Sequence, residues 1–175
     1  MRKLFALLLL ATGVASAGVP AAWGHMQISG ILGGSEVGGR EETIEVLESD
    51  QSFEVPMDTA LLTPAGKTRH GLVTFRKNFD KSSPILTARI LSQTVIPNIT
   101  VTWYEIDDTG TERPYVRYLY TNVRIVKFRP YLENINSPDI LTYTHKEEIT
   151  FSYRAMSVTF LEGNMVSGGI SSVPW

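Results

Sequence analysis

The fold is decided by residues 73–107, VTFRKNFDKSSPILTARILSQTVIPNITVTWYEID. Val73 and Phe75 alternate with polar residues, which is the period-two pattern of a half-buried strand. A polar stop follows at residues 79–84, and residues 99–106 return to a strand-like pattern. The stretch therefore predicts a strand, a turn, a short helix and a second strand.

The helix of this unit is predicted to start at Ser83 or Pro84 and to extend to Ser92. Ser83 is a suitable N-cap, and Pro84 suits the first helical position, where the missing N–H of proline costs no hydrogen bond. An apolar stripe at helical spacing is formed by Ile85, Leu86, Ile90 and Leu91. Because the remaining chain has period-two patterning, we predict a mainly β fold, a two-sheet β-barrel or sandwich with one short flanking α-helix.

Further strands are predicted on both sides of this unit, over residues 22–31, 43–48, 115–128 and 146–161. Residues 49–70 are predicted to form one long polar loop, interrupted by Pro56, Pro64 and Gly66. A loop of that length in a compact domain commonly serves function or contacts a partner. A second loop is predicted over residues 130–138.

The segment 146–161 contains a change of phase. Its apolar residues occupy odd positions in the first half and even positions in the second: Ile149, Phe151 and Tyr153, then Met156, Val158 and Phe160. A regular pleated strand cannot turn both sets toward one core. We therefore expect a bulge or a break near Arg154 and Ala155.

Composition bounds the class of protein. A chain of 175 residues with 43% hydrophobic and 19% charged residues indicates one globular domain rather than a disordered chain. The net charge of −2, without a basic stripe, argues against a nucleic-acid partner. The chain has no cysteine, which excludes disulfides, thiolate metal sites and cysteine nucleophiles.

The first residues have the pattern of a signal peptide. Arg2 and Lys3 give a basic start, an apolar run follows, and Ala15-Ser16-Ala17 is a small-residue cleavage site. We predict a leader over residues 1–17 and one domain over residues 18–175. The apolar run is too short for stable membrane insertion.

The predicted location follows from that leader. A chain that carries it is secreted or periplasmic. The alternative is a mis-assigned start with Met26 as the true initiator, which predicts a protein that is cytoplasmic before secretion.

No catalytic or cofactor motif emerges from the sequence. The GKT at residues 66–68 lacks the earlier glycine of a phosphate-binding loop, because that position is Leu61. The histidines at positions 25, 70 and 145 do not have metal-ligand spacing, so neither a metal nor a cofactor is predicted. We predict that the chain is not an enzyme. A small hydrolase using Glu147 or His145 is the weaker alternative.

Taken in chain order, several segments resemble the Hcp family, the tail-tube proteins of bacterial type VI secretion systems. They extend over roughly residues 23–165, which is nearly all of the predicted mature chain. The matching segments are Ile44-Glu45-Val46, Val55-Pro56-Met57-Asp58, Gly66, Arg69-His70, Phe75, Asp80-Lys81-Ser82-Ser83-Pro84-Ile85-Leu86, Val101-Thr102-Trp103-Tyr104, residues 119–126, residues 145–153 and Glu162-Gly163-Asn164.

The resemblance implies a β-barrel subunit that forms six-membered rings, which stack into a tube whose lumen can carry effectors. The implied partners are copies of the chain itself, the sheath and spike proteins of the apparatus, and effector proteins. A closed ring needs a heterologous interface, and the predicted loop over residues 49–70 is the candidate. The candidate interface residues are Val55, Pro56, Asp58, Thr63, Lys67, Arg69 and His70.

The predicted leader departs from this family, whose tube proteins ordinarily leave the cell through the apparatus itself. The alternative function is therefore an exported Hcp-like binding module that does not form tubes.

Overall fold

The computed structural model describes residues 23–132, 145–162 and 165–170, which form ten strands and one helix. The predicted leader lies outside the described residues. In chain order the elements are β1 (Trp23–Ile28), β2 (Ile44–Val46), β3 (Glu48–Glu54), β4 (Met57–Asp58), β5 (Thr63–Pro64), β6 (Arg69–Asn78), α1 (Ser83–Leu91), β7 (Ile96–Ile106), β8 (Glu112–Leu132), β9 (His145–Phe160) and β10 (Met165–Ile170).

One antiparallel sheet dominates the molecule, with strand order β2-β1-β7-β8-β9-β6-β3 and with β10 paired to β9. Its two end strands, β2 and β3, are consecutive in the chain and are separated only by Leu47. The Leu47 N–H donates to the Arg76 carbonyl on β6, 2.8 Å away. The sheet therefore curls until its two ends meet, and β4 and β5 form a separate small sheet. The predicted mainly β, barrel-like fold with one short helix is confirmed.

The core lies inside the curled sheet, and alternation along β6 shows how it is built. Val73 and Phe75 point inward and pair in register with Phe151 and Ile149 of β9. All four side chains are buried, and each removes apolar surface from water that is worth about 2 kcal/mol. Lys77 has the same phase on β6 and is also fully buried.

The helix begins at Ser83, the earlier of the two predicted starts, but its N-cap lies one residue before the predicted one. Ser82 is the N-cap, Ser83 is the first helical residue, and Pro84 follows. Ser83 does not cap the helix because its Oγ accepts from the Asp80 N–H and donates to Glu147. The Asp80 carboxylate instead accepts the Ser82 N–H, at 2.9 Å.

The predicted apolar stripe of α1 is only half correct. Leu86 is fully buried and Ile90 packs against the core. Ile85 and Leu91, in contrast, are 40% and 80% exposed. The reason is that the helix touches the barrel along a narrow line, so neighbouring positions of the stripe reach the solvent.

The predicted loops are shorter than expected, because strands extend into them. β3 continues to Glu54 and β6 begins at Arg69, so only residues 55–68 separate the two strands. β8 continues through Pro130 to Leu132, and the rest of that predicted loop lies outside the described residues. The prediction also missed β10, which pairs with the second half of β9.

The phase change on β9 falls where it was predicted, but the predicted bulge or break near Arg154 and Ala155 is wrong, because β9 is continuous and in register there. β9 continues through Arg154 and Ala155, with Tyr153 and Met156 buried on either side. The register shifts only farther along β8, between Ile125 and Lys127. At the level of the phase change it is unbroken, with Thr121 opposite Ala155 and Val123 opposite Tyr153. Between them Asn122 has a φ of 50°, in the left-handed region that asparagine tolerates. Both strands thus change phase together at one level of the sheet.

Candidate functional site

The segment proposed for the interface projects from the barrel between β3 and β6, and we call residues 55–68 the arm. Within the arm, β4 is joined to β5 by two residue pairs, Met57 with Pro64 and Asp58 with Thr63. The Asp58 carboxylate accepts the backbone N–H groups of Ala60 and Leu61 at 2.8 and 3.0 Å. The arm is therefore a short hairpin whose tip is closed by an aspartate turn.

The arm exposes apolar side chains to an unusual degree. Leu61 and Leu62 at its tip are 71% and 80% exposed. Other exposed apolar residues line the arm and its base: Phe53, Val55 and Met57. Large exposed apolar patches on soluble proteins mark sites of contact with a partner. The arm thus has the character of a binding element rather than of a solvated polar loop.

The structure divides the predicted interface residues into two groups. Val55, Thr63 and Lys67 are exposed on the arm, while Pro56 and Asp58 are half-buried within it. Arg69 and His70 belong to β6 at the base of the arm, so their prediction as loop residues is wrong.

His70 is held against the barrel by its neighbours. Its Nδ1 lies 3.2 Å from the Tyr153 hydroxyl, and its ring meets Phe53 edge-on at 5.1 Å. The strand pairing of β3 with β6 extends to the base of the arm, which places Phe53 opposite His70. His70 therefore anchors the arm to the barrel.

A buried polar cluster, which sequence reasoning missed, joins β6, β9 and the start of α1. The ammonium group of Lys77 donates to Glu147 at 2.7 Å and to the Ser83 hydroxyl at 3.0 Å. Asp80 lies 2.9 Å from the same ammonium, and its other oxygen accepts the Gly34 N–H at 2.8 Å. The cluster thus connects the helix, two strands and the loop before β2.

The cluster sets one ammonium group, that of Lys77, against two carboxylates, those of Glu147 and Asp80. Burial raises the pKa of Asp80, but hydrogen bonds from Lys77 and Ser82 outweigh it, so the pKa lies below its usual value. The signal that could have found the cluster is the phase of β6, because Lys77 follows Val73 and Phe75 on the inward face. Glu147 is sealed from solvent, so the hydrolase alternative has no accessible carboxylate there.

A polar cavity of about 480 Å³ lies on the outer face of the sheet, beneath the loop that precedes β2. It is lined by His25, Gln27, Gly39, Arg40, Thr43, Thr100, Thr102, Tyr104, Arg117 and Leu119. These residues come from β1, β7, β8 and the loop. Sequence reasoning did not find this cavity, because strand register brings its members together from distant parts of the chain.

Hydrogen bonds fix which ring nitrogen of His25 carries a proton in this cavity. The Thr43 hydroxyl donates its single hydrogen to the Arg40 carbonyl at 2.6 Å. It must therefore accept from His25, whose Nδ1 is 2.8 Å away. Burial, and then the charge of Arg40, lower the pKa of His25, which keeps the ring neutral. Neutral His25 thus carries its proton on Nδ1 and a lone pair on Nε2.

Arg40 closes one side of the cavity. Its two terminal nitrogens donate to the two carboxylate oxygens of Glu112 at 2.6 and 2.8 Å. Its guanidinium also lies 4.3 Å from the centre of the Tyr104 ring. The indole N–H of Trp23 donates to Glu112 at 2.6 Å. The hydrogen bond from Arg40, together with that from Trp23, lowers the pKa of Glu112 despite its partial burial.

Two kinds of site are not found in the described ranges. Across residues 23–132, 145–162 and 165–170, no three His, Cys, Asp or Glu side chains are arranged to bind a metal ion. Nor does any helix in those ranges combine the length and apolar character needed to cross a bilayer.

Comparison with known proteins gives consistent matches. A family model described as "Type VI secretion system effector, Hcp" matches residues 25–160. The "Major exported protein" of Pseudomonas aeruginosa is 29% identical over 137 residues, which cover 78% of this chain and 77% of that protein.

Solved structures agree with these matches. Hcp1 from E. coli EAEC 042 superposes with a TM-score of 0.73 at 25% identity, covering 87% of this chain and 98% of that one. A crystal structure of an Hcp protein gives 0.78 at 16% identity, covering 88% and 100%, and therefore shows the fold alone. Because one family model covers most of the sequence and the curled sheet is shared, this chain belongs to the Hcp family of type VI secretion system effectors.

Proposed function

We propose that the chain is a ring-forming tube subunit of a type VI secretion apparatus. In this proposal six copies form a closed ring, rings stack into a tube, and the lumen carries effectors. The tube works together with the sheath and spike proteins of the apparatus. The role is structural rather than catalytic.

The exposed apolar arm is the observation that carries the proposal. Fully burying a leucine side chain is worth about 1.5–3 kcal/mol, and Leu61 and Leu62 offer two such side chains at the tip. In a closed ring this contribution is repeated at each identical, heterologous interface. A short hairpin that projects from a rigid barrel is suited to reach a neighbouring copy.

The first test measures assembly with and without the arm. Native mass spectrometry of residues 18–175 at tens of micromolar is expected to give a six-fold mass. Replacing residues 58–67 with a short Gly-Ser linker should leave a folded monomer, because doubling a loop's length changes its closure free energy by only about 0.6 kcal/mol. Rings of unchanged size in the deletion variant would place the interface elsewhere.

A point variant with a matched control refines this test. Leu62→Asn suits the positive φ of 53° at that position and removes an apolar side chain that is 80% exposed. Leu91→Asn, at the end of α1, removes a leucine of equal exposure. We expect Leu62→Asn to weaken ring formation and Leu91→Asn to leave it unchanged.

A second candidate function is an exported binding module that forms no tube. The signal-peptide pattern of residues 1–17 favours it. It also fits a secreted or periplasmic location, and the relative from P. aeruginosa is itself named an exported protein. An intact chain that stays monomeric at tens of micromolar would support this candidate over the tube subunit.

A further inference from the structure

The polar cavity on the outer face of the sheet has an uneven charge. Its lining includes two arginines and no Asp or Glu. Arg40 is already paired with Glu112 through both terminal nitrogens. Arg117, on β8, is exposed and makes no hydrogen bond or ion pair with another residue in the described part of the chain. The N–H groups of the Arg117 guanidinium are therefore available to bind a ligand in this cavity.

Strand register places three polar side chains of this cavity in a row. Thr102 of β7 lies opposite His25 of β1 on one side and opposite Arg117 of β8 on the other. Neighbouring strands are about 4.8 Å apart, so the row is about 10 Å long. Thr100 lies two residues from Thr102 on the same face of β7. Neither threonine hydroxyl forms a hydrogen bond with another described residue.

The row offers donors at one end and an acceptor at the other. The guanidinium of Arg117 matches the planar geometry of a carboxylate, and the Thr102 hydroxyl beside it adds a further donor. At the other end, neutral His25 keeps a lone pair on Nε2, because its Nδ1 proton is held by Thr43. A ligand that satisfies both ends needs an anionic oxygen and, within about 10 Å, an N–H group.

We propose that this row is a binding site for an acidic peptide segment. A Glu or Asp side chain binds the fork of Arg117 and the hydroxyl of Thr102, and a backbone N–H of the same segment donates to Nε2 of His25. A polypeptide supplies both groups at this spacing. Inorganic phosphate fits less well, because only one cation of the lining is unpaired and phosphate has no N–H to offer His25.

The proposal concerns the surface of a single subunit and does not depend on ring formation. The test uses the full domain, residues 18–175, and isothermal titration calorimetry. The probe is a capped peptide of alternating Glu and Gly, and the same peptide with Gln in place of Glu is its matched control. Glutarate and inorganic phosphate serve as probes for a carboxylate alone and for an anion alone.

We expect the Glu peptide to bind about tenfold more tightly than the Gln peptide and than glutarate, and phosphate not to displace it. Arg117→Gln should weaken binding of the Glu peptide by about tenfold, and Thr102→Val should weaken it by a smaller factor. Arg154→Gln is the control, because Arg154 is an exposed arginine of β9 that does not line this cavity.

Three results would overturn the proposal. The first is absence of Glu-peptide binding at millimolar concentration. The second is equal binding of glutarate or phosphate, which would reduce the site to one for simple anions. The third is unchanged affinity in Arg117→Gln, in a variant whose circular dichroism spectrum matches that of the parent protein.

Discussion

Lys77 occupies a core position of β6 and is the residue on which the junction of barrel and helix depends. Its ammonium group is fully buried and contacts Glu147, Asp80 and the Ser83 hydroxyl. Burying two charges costs several kcal/mol per ion, and only good geometry with further hydrogen bonds offsets that cost. Glu147 nevertheless has one carboxylate oxygen with no partner among the described residues. Removing Lys77 would therefore leave the buried Glu147 carboxylate without a cation to balance its charge.

For single residues, we predict that substitutions of Lys77 and Glu147 have strongly non-additive effects on the free energy of unfolding. Lys77→Met should lower the free energy of unfolding by about 3–5 kcal/mol, because it leaves the Glu147 charge buried and unpaired. The double variant Lys77→Met/Glu147→Leu should recover most of that loss. Urea denaturation at equal protein concentration measures both.

The control for this pair is the exposed ion pair of β6. Arg76 lies 2.5 Å from Glu48, and both side chains are largely exposed. Arg76→Met should lower the free energy of unfolding far less than Lys77→Met does, because an exposed ion pair is screened by solvent. A double variant no more stable than Lys77→Met alone would contradict the coupling of Lys77 and Glu147.

Among the elements, those defined by local patterning were predicted best. The position of α1 and the phase change on β9 follow from residues close in sequence, such as Pro84 and Tyr153. The limits of β3 and β6 were missed, because their pairing with each other extends strands through polar residues. The cavity was missed for the same reason, since His25, Thr102 and Arg117 meet only through register between distant strands.

β1 provides a test of where the protein begins. Trp23, Gly24 and His25 pair with β7, and the latter two also pair with β2. A chain that starts at Met26 loses this half of the strand, together with the hydrogen bond from Trp23 to Glu112. At about 1 kcal/mol for each hydrogen bond lost, we expect a loss of about 3 kcal/mol or more of stability.

Thermal unfolding of chains that start at Gly18 and at Met26 measures this difference. N-terminal sequencing of the protein from its native host is expected to begin at Gly18, as the leader predicts. A native protein that begins at Met26, with stability equal to the longer chain, would refute both expectations.

For the whole molecule, stability is predicted to fall in two steps as the pH is lowered. The pKa of His25 lies below its ordinary 6.5, through burial and the charge of Arg40 and against the opposing charges of Glu45 and Glu112. The unfolded chain therefore binds this proton first, so stability decreases as the pH falls from about 6.5 toward the lower folded value. Three paired carboxylates also have lowered pKa values: Asp80, Glu112 and Glu148, whose ordinary pKa values are 3.8, 4.5 and 4.5. They stabilise the fold at pH values above these ordinary pKa values, and this stabilisation is lost as the pH falls below them.

Chemical denaturation at pH 7.5, 5.5 and 4 measures these two steps. His25→Gln should remove the decrease between pH 7.5 and 5.5 and retain the decrease at lower pH. The control is His145→Gln, since His145 lies at the exposed start of β9. An unchanged decrease between pH 7.5 and 5.5 in His25→Gln would show that another group causes it.

The change of phase that occurs at Asn122 and Arg154 fixes the register between the two longest strands, β8 and β9. Two uniformly alternating strands can slide by two residues and return every apolar side chain to the same face, so neighbouring alignments differ little in energy. Here a slide of two residues would pair inward-facing residues of one strand with outward-facing residues of the other around Asn122 and Arg154. Residues 116–125 of β8 are thereby given a single alignment with residues 151–160 of β9.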